Sequence, residues 1–352
     1  MKTTKVFFQT FVVWAGHSVQ HLQNRSNLPA VPLLLLRFAD IDLPAWDACV
    51  AASPGRGGLP YAFSWWLRLT AGRWDAVVEP DGRGAYASVL PLPVRRRPWG
   101  REVVQPLFTQ QLGLLLTAGS QHRELTEYLT LALTRGEYVR FYTQLGAAQS
   151  WPALPPALEI TVSERRNYVL SLAPPYPALL AGYHASFRRR LRRQPVGPGA
   201  VREGQSVSAL ITLFRQNKGR EIPSLRPRHY RRLTRLLTAV QARGELLILE
   251  LHEPETNALL TSAVFVRQPA ALIYLLSATT APGKAAAGPL RIFDHLIQQH
   301  AGTPGLVLDF EGSLLPGVAR FFANFGAAPV PYAALTSLRQ PWPLRLLQWM
   351  RP

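Results

Sequence analysis

Apolar positions follow two rhythms along this chain. Some recur every three or four residues, as on one face of a helix, and others form short unbroken runs, as in buried strands. From Leu34 onward the two alternate. Leu43-Pro44-Ala45-Trp46-Asp47 starts a helix, and Tyr61 to Thr70 (YAFSWWLRLT) gives a second with aromatics on more than one face. Trp74 to Glu79 and Ala85 to Pro93 read as strands around the turn Pro80-Asp81-Gly82-Arg83-Gly84. After the basic turn Arg95 to Gly100, strands are expected at Glu102 to Gln105 and Thr109 to Thr117, a helix at Arg123 to Arg135, and a strand at Tyr138 to Leu145. The Pro-rich WPALPP, Trp151 to Pro156, has the composition of a linker.

The pattern then repeats in outline. A strand at Arg166 to Leu172 precedes helices at Tyr176 to Gln194, Gln205 to Lys218 and Arg228 to Arg243. A three-strand meander follows: Glu245 to His252, Ala258 to Arg267 and Ala270 to Ala278. The loop Pro282 to Gly288, containing GKAAAG, opens a helix over Pro289 to His300. The last expected unit is LVLDFEGSLLPGVARFFANFGA, Leu306 to Ala327. Its apolar run stops at Asp309, Ser313 stands where an N-cap belongs, and Pro316 is tolerated in a first helical turn. Val318, Phe321, Phe322 and Phe325 make an apolar stripe, and Gly326 ends the helix. Two α+β runs in series predict a duplicated α+β unit. The boundaries are a poorly structured extension at 1–33, a first domain at 34–150, a linker at 151–165, a second domain at 166–340 and a tail at 341–352.

A chain of 352 residues, 47% hydrophobic, is long enough for two cores. Its formal charge of +18 comes almost wholly from arginine, since only four lysines occur. Such a surface attracts nucleic acid, phosphorylated ligands or acidic membranes. Codon usage in a GC-rich gene produces the same bias, so charge alone does not choose a partner. The single Cys49 excludes an intramolecular disulfide, and the eight histidines show no paired ligand spacing, so no metal is expected. No segment reaches the roughly 20 apolar residues of a membrane span, and Met1 to Gly16 has no clear cleavage site, which together favour a cytoplasmic protein.

Three stretches carry candidate chemistry. GKAAAG at a helix start offers free N–H groups to a phosphate, although it lacks the P-loop spacing and is also an ordinary small-residue turn. Tyr183 to Arg193 (YHASFRRRLRR) packs Tyr183, Phe187 and Leu191 and leaves arginines on its other faces, for phosphates or simply for solvent. Gln105-Pro106-Leu107-Phe108-Thr109-Gln110-Gln111 combines amides with an aromatic, which suits a polar substrate or a structural loop.

Taken in order, YAFSWWL, LPLP, QPLFTQQLG, the basic helix, NKG at Asn217 to Gly219, YLLSATT at Tyr274 to Thr280, LDFEGS and FFANFGA resemble GNAT-type N-acyltransferases. The similarity is to the Fem-like and cellulose-biosynthesis-associated kind, and it covers Leu34 to the end. It implies two tandem GNAT-like domains, each a mixed, mostly antiparallel sheet flanked by helices. It also implies acyl transfer to a small-molecule or cell-envelope amine, from acetyl-CoA or another acyl-CoA. A Fem-like transfer from aminoacyl-tRNA, and a catalytically degenerate pair serving as a scaffold in envelope polysaccharide or lipid assembly, remain open. On this resemblance Ser277, Ala278, Gly283, Lys284, Ala286 and Gly288 would hold coenzyme A. Gln105, Phe108, Gln110, Gln111, Arg188, Arg189 and Tyr274 would bind substrate. Glu311 would be the base that takes a proton from the amine, Asp309 the base or its orienter, and Tyr332 the acid for the leaving thiolate.

Overall fold

In the computed structural model, residues 31–338 are described except 55–58, 148, 150–153, 194–200, 224 and 313–314. Ser313, residues 1–30 of the N-terminal extension, Trp151 of the linker and the tail at 341–352 therefore lie outside the described residues. The first run begins with strand β1 (Leu34–Leu36) and helix α1 (Leu43–Ala52), whose N-cap Asp42 accepts from Ala45 N at 2.9 Å. Helix α2 (Ser64–Thr70) starts later than its aromatic pattern suggested, because Asp47 Oδ1 accepts from Ser64 N at 2.7 Å and fixes the first turn there. Strands β2 (Trp74–Pro80), β3 (Tyr86–Arg97) and β4 (Gly100–Val103) form a meander, with β3 running through the arginines expected as a turn. Helix α3 (Leu125–Arg135) and strand β6 (Tyr138–Gln144) follow as the pattern predicts.

The strand expected over Thr109 to Thr117 is only β5 (Leu115–Leu116). Its remaining backbone finds other partners, among them Leu112 N on Gln144 O at 2.7 Å. In the second run β7 (Thr161–Ser171) is longer than predicted, and the basic helix divides into α4 (Tyr176–Gly182) and α5 (Ala185–Arg193). The break has a tertiary cause: Tyr183 is extended and buried, its ring 5.2 Å from that of Phe325. A short edge strand, β8 (Val201–Gly204), leads to α6 (Val207–Gln216), capped by Ser206, and to α7 (Pro227–Ala242). The meander β9 (Leu246–His252), β10 (Leu259–Gln268) and β11 (Ala271–Thr279) matches the reading.

The GKAAAG segment is not an open loop. It forms the short helix α8 (Ala281–Ala285), capped by Thr280, and runs into α9 (Gly288–His300). Strand β12 (Val307–Gly312) continues through the acids at which it was expected to stop, and α10 (Pro316–Ala323) carries the Phe stripe. The final strand, β13 (Ala328–Leu338), had no counterpart in the sequence reading.

All the strands join one sheet in the order β1-β2-β3-β4-β6-β13-β7-β12-β11-β10-β9-β8, with β5 on β3. Two details of register position the site. Strands β11 and β12 run parallel and pair only from Ala271–Val307 to Ile273–Asp309. Beyond that point they splay: β11 stays with β10 as far as Thr279, while β12 stays with β7, which it pairs from Val307–Ser171 to Gly312–Asn167. Helices α9 and α10 cover one face of the second run with a phenylalanine cluster around Phe293, Phe310 and Phe325. Helices α6 and α7 cover the other. No helix among the described residues is long and apolar enough to cross a membrane.

Candidate active site at the strand splay

Successive residues of a strand point to opposite faces, so a splay between two strands opens toward both sides of a sheet. Here Tyr274 packs with the α9 side and Leu275 with the α7 side. A cleft of about 450 Å³ on the Leu275 side is lined by Gln105, Phe108, Gln110, Arg165, Glu311 and Tyr332, among others. One of about 470 Å³ on the Tyr274 side is lined by Ser277, Lys284, Phe293, Gly317, Phe321 and Phe322, among others.

Glu311 stands at the end of β12 with a left-handed φ of 57°, a conformation that bulky residues rarely adopt without support. Support comes from Asp309, which is buried and whose Oδ1 accepts from Glu311 N at 2.8 Å. Gly312 follows because a Cβ there would run into the carbonyl oxygen of Arg166 and crowd Gln110 Nε2. The carboxylate of Glu311 accepts a hydrogen bond from the buried Tyr61 hydroxyl. Burial raises the Glu311 carboxyl, the nearby Asp309 charge adds to this, and the Tyr61 hydrogen bond opposes it; the outcome is a pKa of about 8. Burial likewise raises Asp309, against the bonds it accepts from Glu311 N and Asn167. Tyr61 and Tyr332 are pushed up, first by burial and then by the Glu311 charge, so both keep their protons at neutral pH. Tyr332 donates to Gln144 Oε1 at 3.0 Å and lines the Glu311 cleft.

The residues singled out from sequence divide between these surroundings. Tyr274 and Ser277 meet in the second cleft, hydroxyl to hydroxyl at 2.8 Å, and burial pushes the Tyr274 phenol to about 12, with Glu311 contributing. Lys284 is exposed at the same cleft. Ala278 instead points to the opposite face and packs with Leu276 and Val264. Gly283 and Gly288 are buried against Leu260 and Thr261, where a Cβ would collide, and Ala286 packs on the α9 core. Of the six residues that the resemblance assigned to coenzyme A, Ser277 and Lys284 line the cleft.

Gln105 braces the first cleft, donating to Thr109 O at 2.8 Å and accepting from Gln144 N at 3.0 Å. Gln110 Nε2 is buried there without a hydrogen-bond partner among the described residues. Phe108 lines the cleft with a left-handed φ of 63°. Gln111 turns away, buried, and accepts from Ala147 N at 2.9 Å. Arg188 donates to the Ala181 carbonyl and Arg189 is exposed; neither lines a cleft. Sequence reasoning missed Tyr61, Gln144 and Arg165. Nothing local marks Tyr61, because its contact with Glu311 spans 250 positions.

No protein-family model matches the chain, and no curated protein matches it by sequence. Solved structures do match its fold. A structure described as FemX is 13% identical, covers 90% of this chain and 99% of its own, and superposes with a TM-score of 0.56. A conserved protein of unknown function from Bacteroides thetaiotaomicron VPI-5482 is 11% identical over 88% of this chain and all of its own, with a TM-score of 0.53. A tandem GNAT protein from the clavulanic acid biosynthesis pathway is 13% identical over 87% of this chain and 98% of its own, at a TM-score of 0.49. Over nearly its whole length the chain therefore shares the fold of FemX, the Fem-like fold that its ordered landmarks implied.

Proposed function

We propose that the protein is an N-acyltransferase that works across the β11–β12 splay. The acyl donor, an acyl-CoA, occupies the Tyr274 side, and the amine acceptor occupies the Glu311 side. The observation that carries this reading is Glu311 itself, a half-buried carboxyl raised to about 8 where two clefts adjoin one strand opening. A base near the working pH combines useful ionisation with useful basicity. The donor cleft has an apolar floor of Phe293, Phe321 and Phe322, suited to a thin pantetheine-like arm, and a cation at its rim in Lys284. Bound there, the donor supplies a thioester.

In the reaction Glu311 takes a proton from the acceptor amine as nitrogen bonds to the thioester carbonyl carbon. The carbon–sulfur bond then breaks, and the sulfur leaves with a proton drawn from the Tyr274 hydroxyl or from solvent. Tyr274 suits that role better than Tyr332, which lines the acceptor cleft and is bonded to Gln144. Arg165 lines the same cleft, where its positive charge disfavours the protonated form of the acceptor amine.

A second reading, transfer from aminoacyl-tRNA, draws on the likeness to FemX and on the basic helix α5. Arg190 of that helix donates to the Lys284 carbonyl at 2.9 Å, so α5 lies against the rim of the donor cleft. A thermal-shift series with acyl-CoAs separates the readings: saturable stabilisation by one of them supports the first. Absence of any shift, with salt-sensitive filter binding of charged tRNA, supports the second. Absence of both leaves the scaffold role. With the donor found, Glu311→Gln is expected to lose turnover by about 10²- to 10⁴-fold, the usual worth of a general base. A variant that turns over at the wild-type rate removes Glu311 as the base.

A further inference from the structure

A third concavity shares no residue with the two clefts. Where α2 crosses α7, a pocket of about 350 Å³ is lined by Arg68, Leu69, Arg228, Arg231, Arg232 and Arg235. The four α7 arginines fall at i, i+3, i+4 and i+7, one face of the helix spanning about 10 Å. Arg68 faces them from α2. No carboxylate lines the pocket, and none of the ion pairs among the described residues involves these five side chains.

Five guanidinium groups converging on one small space repel one another and gain nothing from each other. Arg232 is half-buried, and its pKa is lowered first by burial and then by the charges of Arg228 and Arg95. It is nevertheless fixed in place, Nη1 donating to Thr70 O at 2.7 Å. The other four are exposed; Arg228 Nε donates to His229 Nε2 at 3.3 Å and Arg68 lies over the Phe38 ring at 6.0 Å, while no carboxylate among the described residues holds any of them. The pocket also lies along the first turns of a 16-residue helix with no acid in its first turn, so the positive end of the helix adds to the field. Guanidinium forks match phosphate oxygens in pairs, and several adjacent phosphates would neutralise several of them together. A walled pocket of this volume fits a compact group rather than a long strand lying across the surface.

We propose that the α2–α7 pocket binds a di- or triphosphate group, with Arg68, Arg228, Arg231 and Arg235 taking its oxygens around a floor fixed by Arg232. The phosphate chain could come free or attached to a nucleoside, and the test distinguishes the two sources. Inorganic triphosphate, a nucleoside triphosphate and the matching nucleoside monophosphate are titrated calorimetrically into the full chain at low salt. Saturable triphosphate binding that weakens with added salt is expected, and it should fall at least 10-fold in the Arg231→Gln/Arg235→Gln double variant. Arg231→Lys/Arg235→Lys keeps the charge but loses the paired geometry, and is expected to fall between them. Equal affinity for the inorganic and nucleoside triphosphates supports recognition of the chain alone. Tighter binding of the nucleoside form supports the same site with the nucleotide as its source. Arg189→Gln/Arg193→Gln on α5 and Glu311→Gln are expected to bind as wild type, which keeps this test independent of the acyltransfer reading. Three results overturn the proposal: no saturable binding, equal weakening by the α5 variant, or tight RNA binding that triphosphate does not displace.

Discussion

Glu311 is pulled in two directions by its neighbours, and the balance can be measured. Burial and the Asp309 charge favour its protonated form, while the Tyr61 hydroxyl favours the carboxylate. Tyr61→Phe removes the donor and keeps the ring, so the Glu311 pKa should rise above about 8. The ascending limb of the pH–rate profile is then expected to move to higher pH; an unmoved or acid-shifted limb contradicts the assignment. Stability carries a second signature. A carboxyl whose pKa is raised on folding lets the folded state hold its proton longer, so its contribution is intact below the ordinary value near 4.3 and is lost as pH climbs to about 8. Glu311→Gln never acquires that poorly solvated charge. Its Tm should therefore gain on wild type between pH 5 and pH 8, and the difference should level off above that, as scanning calorimetry would show. A variant that instead loses Tm across this window would mean that the carboxylate is stabilising.

Among the elements, those read correctly from sequence carry their instructions locally. Asp42 and Ser206 cap α1 and α6, and the meander β9–β11 shows unbroken apolar runs bounded by turns. The elements misread are those decided at a distance. The α4–α5 break exists because Tyr183 packs on Phe325, and the extended segment before β5 bonds to β6. Strand β13 was hidden by Pro329 and Pro331, since proline argues against an interior strand. The register resolves this: those prolines pair only with β7, and β6 joins from Ala334 onward, so at the prolines no strand among the described residues pairs on the other side. The site was legible to a similar degree. Asp309 and Glu311 stood out as acids ending an apolar run, whereas Tyr61 could be found only through the fold. At this scale the donor cleft can be closed by one substitution on α10. Gly317 lines it, and a Cβ there meets nothing within 4 Å. Gly317→Phe should fill the cleft and abolish stabilisation by acyl-CoA while leaving the unliganded Tm unchanged or slightly raised, because glycine is a poor helix former. An undiminished acyl-CoA shift would put the donor elsewhere.

Across the whole molecule, the two runs of elements do not bury their cores separately. One cluster around Trp46, Trp66 and Trp74 from the first run also contains Leu236, Val240 and Ile273 from the second. Another, under α3, draws Ala333 and Leu335 from β13 at the far end of the chain. That strand lies between β6 and β7, so without it β6 keeps only β4 as a partner and leaves a row of unpaired backbone groups on its other side. The two runs thus complete one another, and a site located where β11 and β12 part depends on both: Tyr61 comes from the first and Glu311 from the second. The expected result is that residues 34–150 alone show no cooperative thermal transition, whereas co-expression with 151–352 yields a complex that unfolds in a single step. A fragment 34–150 that melts cooperatively by itself would show that the first run closes its own core, and that β13 only docks on a finished unit.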